Sequence, residues 1–137
     1  MAMYVVYESP LQMLADSPSR YRREEECTRF IAGVPAVWDE SLVLEARIAD
    51  YLLLARRSGR VWYAGAMTDG TGRELVLDLS FLPVGSYTMT LFSDGPNAGR
   101  AAMDYTSATR LVTVGERIPL KLAPGGGAAA RFEPAVE

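Results

Sequence analysis

Carboxylates are the side chains here best able to do chemistry, because histidine is absent and cysteine occurs once, as Cys27. Those two facts exclude His-based triads, His general bases, His metal ligands, an internal disulfide and a multi-thiolate zinc site. A carboxylate pair could still act on a glycosidic bond if held about 5–10 Å apart across a sugar. Asp39-Glu40, Asp69 and Asp94 all fall in expected turns, where acidic side chains cap backbone N–H groups. None is assigned a catalytic role. Asp94-Gly95-Pro96-Asn97 together with Asp104 offers oxygens to calcium, but the spacing matches no EF-hand loop. Gly125-Gly126-Gly127 lacks a following Lys-Ser/Thr and does not open a helix, so it reads as a tight turn and not a phosphate cradle. No cofactor or metal is expected in this chain.

Aromatic side chains are the second source of function. Trp38, Trp62, Tyr63, Tyr87 and Tyr105 could stack on sugar rings, but on alternating strands about half of such residues face the core. Trp62 and Tyr63 are adjacent, so a regular strand points one inward and the other outward. Trp38, Trp62 and Tyr63 are the substrate-binding candidates of an alternative reading, a carbohydrate-binding module. That reading requires at least two exposed, roughly coplanar rings on one face.

The elements that must carry these residues change character along the chain. Tyr4-Val-Val-Tyr7 is a continuous apolar run that predicts a short strand buried on both faces. Ser9-Pro10-Leu11-Gln12 then has the pattern of a capped helix start, with Gln12 as the reciprocal partner of a capping box. Ser17-Pro18 repeats the cap-plus-proline signal, which predicts a second helix running to Phe30 and Ile31. Cys27, Phe30 and Ile31 share one face of it, Gly33 ends it and Pro35 forbids continuation. The charges of Arg22, Arg23 and Glu24 to Glu26 form a solvated helix face.

From Val34 the pattern is strand-like. Val34 to Trp38, Val43 to Ala46, Tyr51 to Ala55 and Val61 to Met67 are successive runs, with Ser58-Gly59-Arg60 turning a hairpin. Leu75, Leu77, Leu79 and Phe81 alternate with Glu74, Val76, Asp78 and Ser80, and residues from Tyr87 to Phe92 alternate again. Thr109 to Val114 and Ile118 to Leu122 read as another hairpin around Gly115-Glu116, and Ala128 to Phe132 closes the set. Short strands with turn signals every 8–12 residues or so predict an antiparallel β-sandwich. The fold class expected is therefore mainly β, a sandwich preceded by a short strand and two helices. The expected division is residues 1–33 and residues 34–137.

Composition agrees with a full core and limits partners. The chain has 137 residues, of which 49% are hydrophobic, enough for one ordinary domain. Net charge is -3, with basic and acidic residues interspersed, so a nucleic-acid footprint is not expected. No apolar run approaches the roughly 20 residues that span a bilayer, and Met1-Ala2-Met3-Tyr4 lacks the features of a signal peptide.

Several blocks resemble glycoside hydrolase family 97. Tyr7-Glu8-Ser9-Pro10-Leu11-Gln12-Met13, Ala15-Asp16-Ser17-Pro18 and Tyr21 are similar to the end of that family's catalytic barrel. Phe30-Ile31 and Val34-Pro35-Ala36-Val37-Trp38-Asp39-Glu40 resemble its passage into the C-terminal domain. Ala55-Arg56-Arg57, Trp62 to Asp69, Leu77 to Leu82, Asp94 to Ala98 and Leu122 to Gly127 continue the likeness, which covers about Tyr4 to Phe132.

The resemblance implies a non-catalytic accessory domain of a bacterial α-glucosidase or α-galactosidase, periplasmic or secreted. It also implies that residues 1–33 are a remnant of a (β/α)8 barrel, with that barrel as partner and a homo-oligomer as a further expectation. In the family, the catalytic carboxylates and the calcium ion belong to parts upstream, so neither is carried over. Glu8 would stand at the C-terminal end of the last barrel strand, the face where barrel active sites form, with a structural role. Leu11, Met13, Leu14, Phe30 and Ile31 would pack on barrel neighbours, and their exposure without them would favour self-association.

Overall fold

The computed structural model describes residues 1–10 and 16–135. Eight strands follow three short helices: α1 (Ala2–Val6), α2 (Pro18–Arg23), α3 (Glu25–Ala32), β1 (Glu40–Arg47), β2 (Tyr51–Ser58), β3 (Val61–Thr68), β4 (Arg73–Asp78), β5 (Ser86–Asp94), β6 (Tyr105–Thr113), β7 (Arg117–Leu122) and β8 (Gly127–Pro134). All described strand pairings are antiparallel. A six-stranded sheet has the order β1-β2-β3-β8-β5-β6, and β4 and β7 form a two-stranded sheet. The expected sandwich is present.

The small sheet closes one face of the large one. β7 alternates without a fault, with Ile118, Leu120 and Leu122 buried and Arg117, Pro119 and Lys121 exposed. Leu75 and Leu77 of β4 sit opposite Leu120 and Ile118. Below them lie Leu53, Ala55, Trp62, Ala64, Met89, Ala130 and Phe132 of the large sheet. Burial on this scale stabilises by about 1.5–3 kcal/mol for each large apolar side chain.

The helices close the other face. Val5 of α1 is fully buried and Phe30 of α3 nearly so, packed with Leu54, Tyr63, Phe92 and Ala129. Small residues make this possible. A Cβ placed on Gly65 of β3 would lie 2.8 Å from Val6 Cγ2 and 3.1 Å from Val5 Cβ, so α1 rests directly on backbone. Covered on both sides, β2 and β3 are buried over consecutive residues, Leu53 to Arg56 and Trp62 to Ala66. Such a double cover is more often met in parallel sheets.

Five local expectations are corrected. Tyr4–Val6 lies in helix α1 and Tyr7 follows it in extended conformation, so no strand forms there. A lone strand has no neighbour for its N–H and C=O groups, whereas a helical turn satisfies them internally. The second helix is broken at Glu24 (φ -105°, ψ 49°) into α2 and α3. The strand expected through Phe81 stops at Asp78, whose carboxylate accepts the Ser80 N–H at 2.9 Å and caps a 3-10 turn over Leu79–Phe81. β6 and β7 do not pair with each other. The chain leaves the large sheet at Gly115 (φ 81°) and β7 crosses to the small one, because its three inward aliphatics cover the core only from the opposite layer. Val34 to Trp38 likewise forms no strand.

Ser17 stands at the N-cap position of α2, without a side-chain hydrogen bond, with Pro18 at the helix start, and Gly33 stands at the C-cap of α3. The helix start expected at Ser9-Pro10, with Leu11, Gln12, Met13 and Leu14, lies outside the described residues. Phe30 is 4% exposed, so its surface is covered by this chain's own sheet.

Candidate functional site

The three aromatic candidates are not assembled into a platform. Trp62 and Tyr63 alternate to opposite faces of β3 and are both buried, at 4% and 3% exposed. Trp62 packs at 5.2 Å from the Phe81 ring, inside the main core. Tyr63 lies in the outer cluster, edge-on to Trp38 at 5.3 Å, and its hydroxyl donates to the Gly33 carbonyl at 2.7 Å. Burial raises the Tyr63 phenol above its ordinary pKa. The structure thus brings Trp38 and Tyr63 together and sends Trp62 away from both. Only Trp38 keeps partial exposure, and one ring does not make a stacking surface for a sugar.

Tyr63 and Trp38 instead fasten the N-terminal layer. Arg56 of β2 joins them. Its guanidinium carbon lies 5.5 Å from the centroid of the Trp38 ring, and its Nη1 donates to the Tyr7 carbonyl at 2.6 Å. Burial draws the Arg56 pKa below its ordinary value, and the nearby charge of Glu8 opposes that shift. Glu8 itself is exposed. Arg56 carried no functional reading in the sequence. The available signal was a cation inside an apolar run, Leu53-Leu54-Ala55-Arg56, of a strand buried on both faces.

The carboxylates are occupied by backbone and arginine. Asp39 accepts the Gly59 N–H at 2.7 Å, and Arg57 stands 3.6 Å from Asp39 and 3.2 Å from Glu40. Asp69 accepts the Thr71 N–H at 2.9 Å, which holds its pKa below the usual carboxylate range, with Arg73 assisting. Asp94 Oδ2 accepts from Ala123 and Gly127 at 2.8 and 3.0 Å, bracing the glycine turn. Asp104 Oδ2 accepts the Asn97 N–H at 2.6 Å. Among the described residues no group of three acidic, cysteine or histidine side chains is gathered for a metal ion.

Two open clefts border the helical layer. One of about 410 Å³ lies between α1 and the glycine turn, lined by Met1, Met3, Met67 and Asp94 among others. The second, about 620 Å³, separates α3 from the β5–β6 ribbon. Near its mouth the Tyr105 phenol is pushed up to about 12, chiefly by its hydrogen bond with Cys27. The chemistry these described side chains carry is packing and hydrogen bonding. No helix of the described residues is long and apolar enough to cross a membrane.

Comparison with known proteins places this architecture. A family model described as "Glycosyl-hydrolase 97 C-terminal, oligomerisation" matches residues 37–133. A retaining alpha-galactosidase of Bacteroides thetaiotaomicron is 48% identical over 133 residues, which are 97% of this chain and 20% of that protein. A probable retaining alpha-galactosidase of Streptomyces bingchenggensis is 29% identical over 130 residues, 95% of this chain and 19% of that protein. Among solved structures, a glycoside hydrolase family 97 enzyme from Pseudoalteromonas sp. strain K8, in complex with acarbose, superposes with a TM-score of 0.91 at 37% identity. That match covers 98% of this chain and 22% of the other. The chain therefore spans about a fifth of the length of the curated relatives it matches.

Proposed function

Since the chain belongs to the C-terminal family of glycosyl hydrolase 97, we propose that it acts as the non-catalytic accessory domain of a longer hydrolase, bracing a catalytic barrel and joining subunits. The observation that carries this reading is that share: the relatives place about four-fifths of their length outside the region matched here. The engaged state of Asp39, Glu40, Asp69, Asp94 and Asp104 supports it. On this reading residues 1–33 belong to the barrel's end and residues 34–137 to the sandwich, and the helical layer is the joint between them. Arg56, Trp38 and Tyr63 hold that joint.

The substrate class of the whole protein is read as α-galactosides, from the 48% identity to a retaining alpha-galactosidase. The experiment has two arms. The 137-residue chain is expected to hydrolyse neither p-nitrophenyl α-galactoside nor p-nitrophenyl α-glucoside. The native protein from its source cells is expected to have several times the 15.0 kDa mass of this chain and to hydrolyse the galactoside faster. Turnover by the 137-residue chain, or a native mass of 15.0 kDa, would overturn the reading. Preference for the glucoside would overturn the substrate class alone.

A further inference from the structure

The two edges of the large sheet differ sharply. β1 is defended: its register slips between Val43 and Glu45, and Glu40, Glu45 and Arg47 put charges along it. β4 and β7 of the small sheet are six residues each, and β7 carries Pro119. β6 has none of these defences. It runs nine residues, Tyr-Thr-Ser-Ala-Thr-Arg-Leu-Val-Thr, pairs with β5 in unbroken register, and buries only Val112. Its one charge, Arg110, is held at 2.9 Å by Glu116. Leu111 is 66% exposed, and Val84, 95% exposed, lines the same groove. Soluble proteins blunt long, regular, weakly charged edges because such edges template strand addition.

We infer that β6 is the self-association edge of this protein, covered by β6 of a second copy running antiparallel across a two-fold axis normal to the sheet. The inference rests on the reading above that the domain joins subunits, and it names the strand and the register that do so. The strand is suited to meet itself. A two-fold of this kind keeps like faces together, so Tyr105, Ser107, Thr109, Leu111 and Thr113 form one row and Thr106, Ala108, Arg110 and Val112 the other. Centring the axis on Arg110 would oppose two guanidinium groups, which is unfavourable. Centring it on Thr109 sets Thr109 against Thr109, Arg110 against Ala108 and Leu111 against Ser107. The free N–H and C=O groups of β6 are then satisfied, and Leu111 and Val84 gain cover.

The test measures the mass of the 137-residue chain by sedimentation over a concentration series. The wild-type chain is expected to reach about twice 15.0 kDa. Thr109→Lys and Thr109→Glu are each expected to raise the dissociation constant about tenfold or more, a shift of roughly 1.4 kcal/mol. An equimolar mixture of the two is expected to recover the dimer, because opposite charges then meet at the axis. Leu111→Lys should weaken association as well, while Val43→Lys on β1 should not. Circular dichroism confirms that each variant is folded, and recovery in the mixture confirms it independently. A wild-type chain that stays at 15.0 kDa overturns the subunit-joining reading and this inference with it. A dimer unaffected by Thr109→Lys and Leu111→Lys overturns the β6 edge alone.

Discussion

The large sheet is closed differently on its two faces. One face is roofed by β4 and β7, whose strands alternate cleanly and meet a broad floor that includes Trp62, Met89 and Phe132. The other is covered by two short helices, α1 of five residues and α3 of eight, anchored by Val5, Phe30 and a few hydrogen bonds. Helices this short are not stable by themselves. The first face holds strands that fix one another, and the second holds a segment fixed only by the sheet beneath it. The strand-roofed face is thus held by pairing as well as burial, whereas the helical layer depends on the sheet beneath it.

Substitutions aimed at one face at a time sharpen this contrast. Phe132 is fully buried on the β4–β7 side. Phe132→Ala is expected to cost about 3–5 kcal/mol, seen as a large fall in the midpoint of urea unfolding. A loss under about 1 kcal/mol would break the claim that this face carries the fold. Gly65→Ala acts on the other side, where the new Cβ would meet Val5 and Val6. Its expected cost is about 1–3 kcal/mol. Hydrogen exchange should quicken in residues 2–6 and leave the amides of β4 and β7 protected. Equal loss of protection on both faces would refute the separation.

Two smaller effects refine it. Tyr63→Phe removes the hydroxyl that donates to Gly33, at an expected cost of about 0.5–1.5 kcal/mol. Proteolysis within α2 and α3 should rise while the main transition moves little. Acid should act on the opposite face. Asp69, Asp78 and Glu116 lie in turns around β4 and β7, and their pKa values are lowered by the Thr71 N–H, by the Ser80 hydroxyl and N–H, and by Arg110 respectively. Lowered folded values mean that the unfolded chain takes up protons first as pH falls. Their stabilisation is complete above the ordinary values of 3.8 and 4.5. It declines below them and vanishes beneath the folded values. Asp78→Asn should flatten part of that decline below its ordinary value of 3.8. An unchanged acid profile would count against the role of this turn.

Much of the strand layout was legible in the chain. Leu75 and Leu77 alternate with Glu74 and Val76, Ser58-Gly59-Arg60 marks a hairpin, and Ser17-Pro18 marks a helix start. All three signals are local, carried by residue spacing, glycine conformation and capping groups. Tyr4 to Tyr7 misled because an apolar run does not distinguish a buried strand from a buried helical turn. The aromatic candidates are left open by the sequence for a related reason. Alternation places Trp62 and Tyr63 on opposite faces, but it does not reveal that both faces are covered. Arg56 is not legible in the sequence because its partners, Trp38 and the Tyr7 carbonyl, are far from it along the chain.

The sequence by itself determined where most strands lie, that the fold is a mainly β sandwich, and, through its lack of histidine and its lone cysteine, which chemistries are excluded. Only the tertiary structure decided which strand meets which. β6 pairs with β5 and not with β7, β8 enters between β3 and β5, and β6 is left as an open edge. The physical reason is that side-chain alternation specifies a face, whereas pairing depends on which backbone edges remain free once both layers have closed over the core.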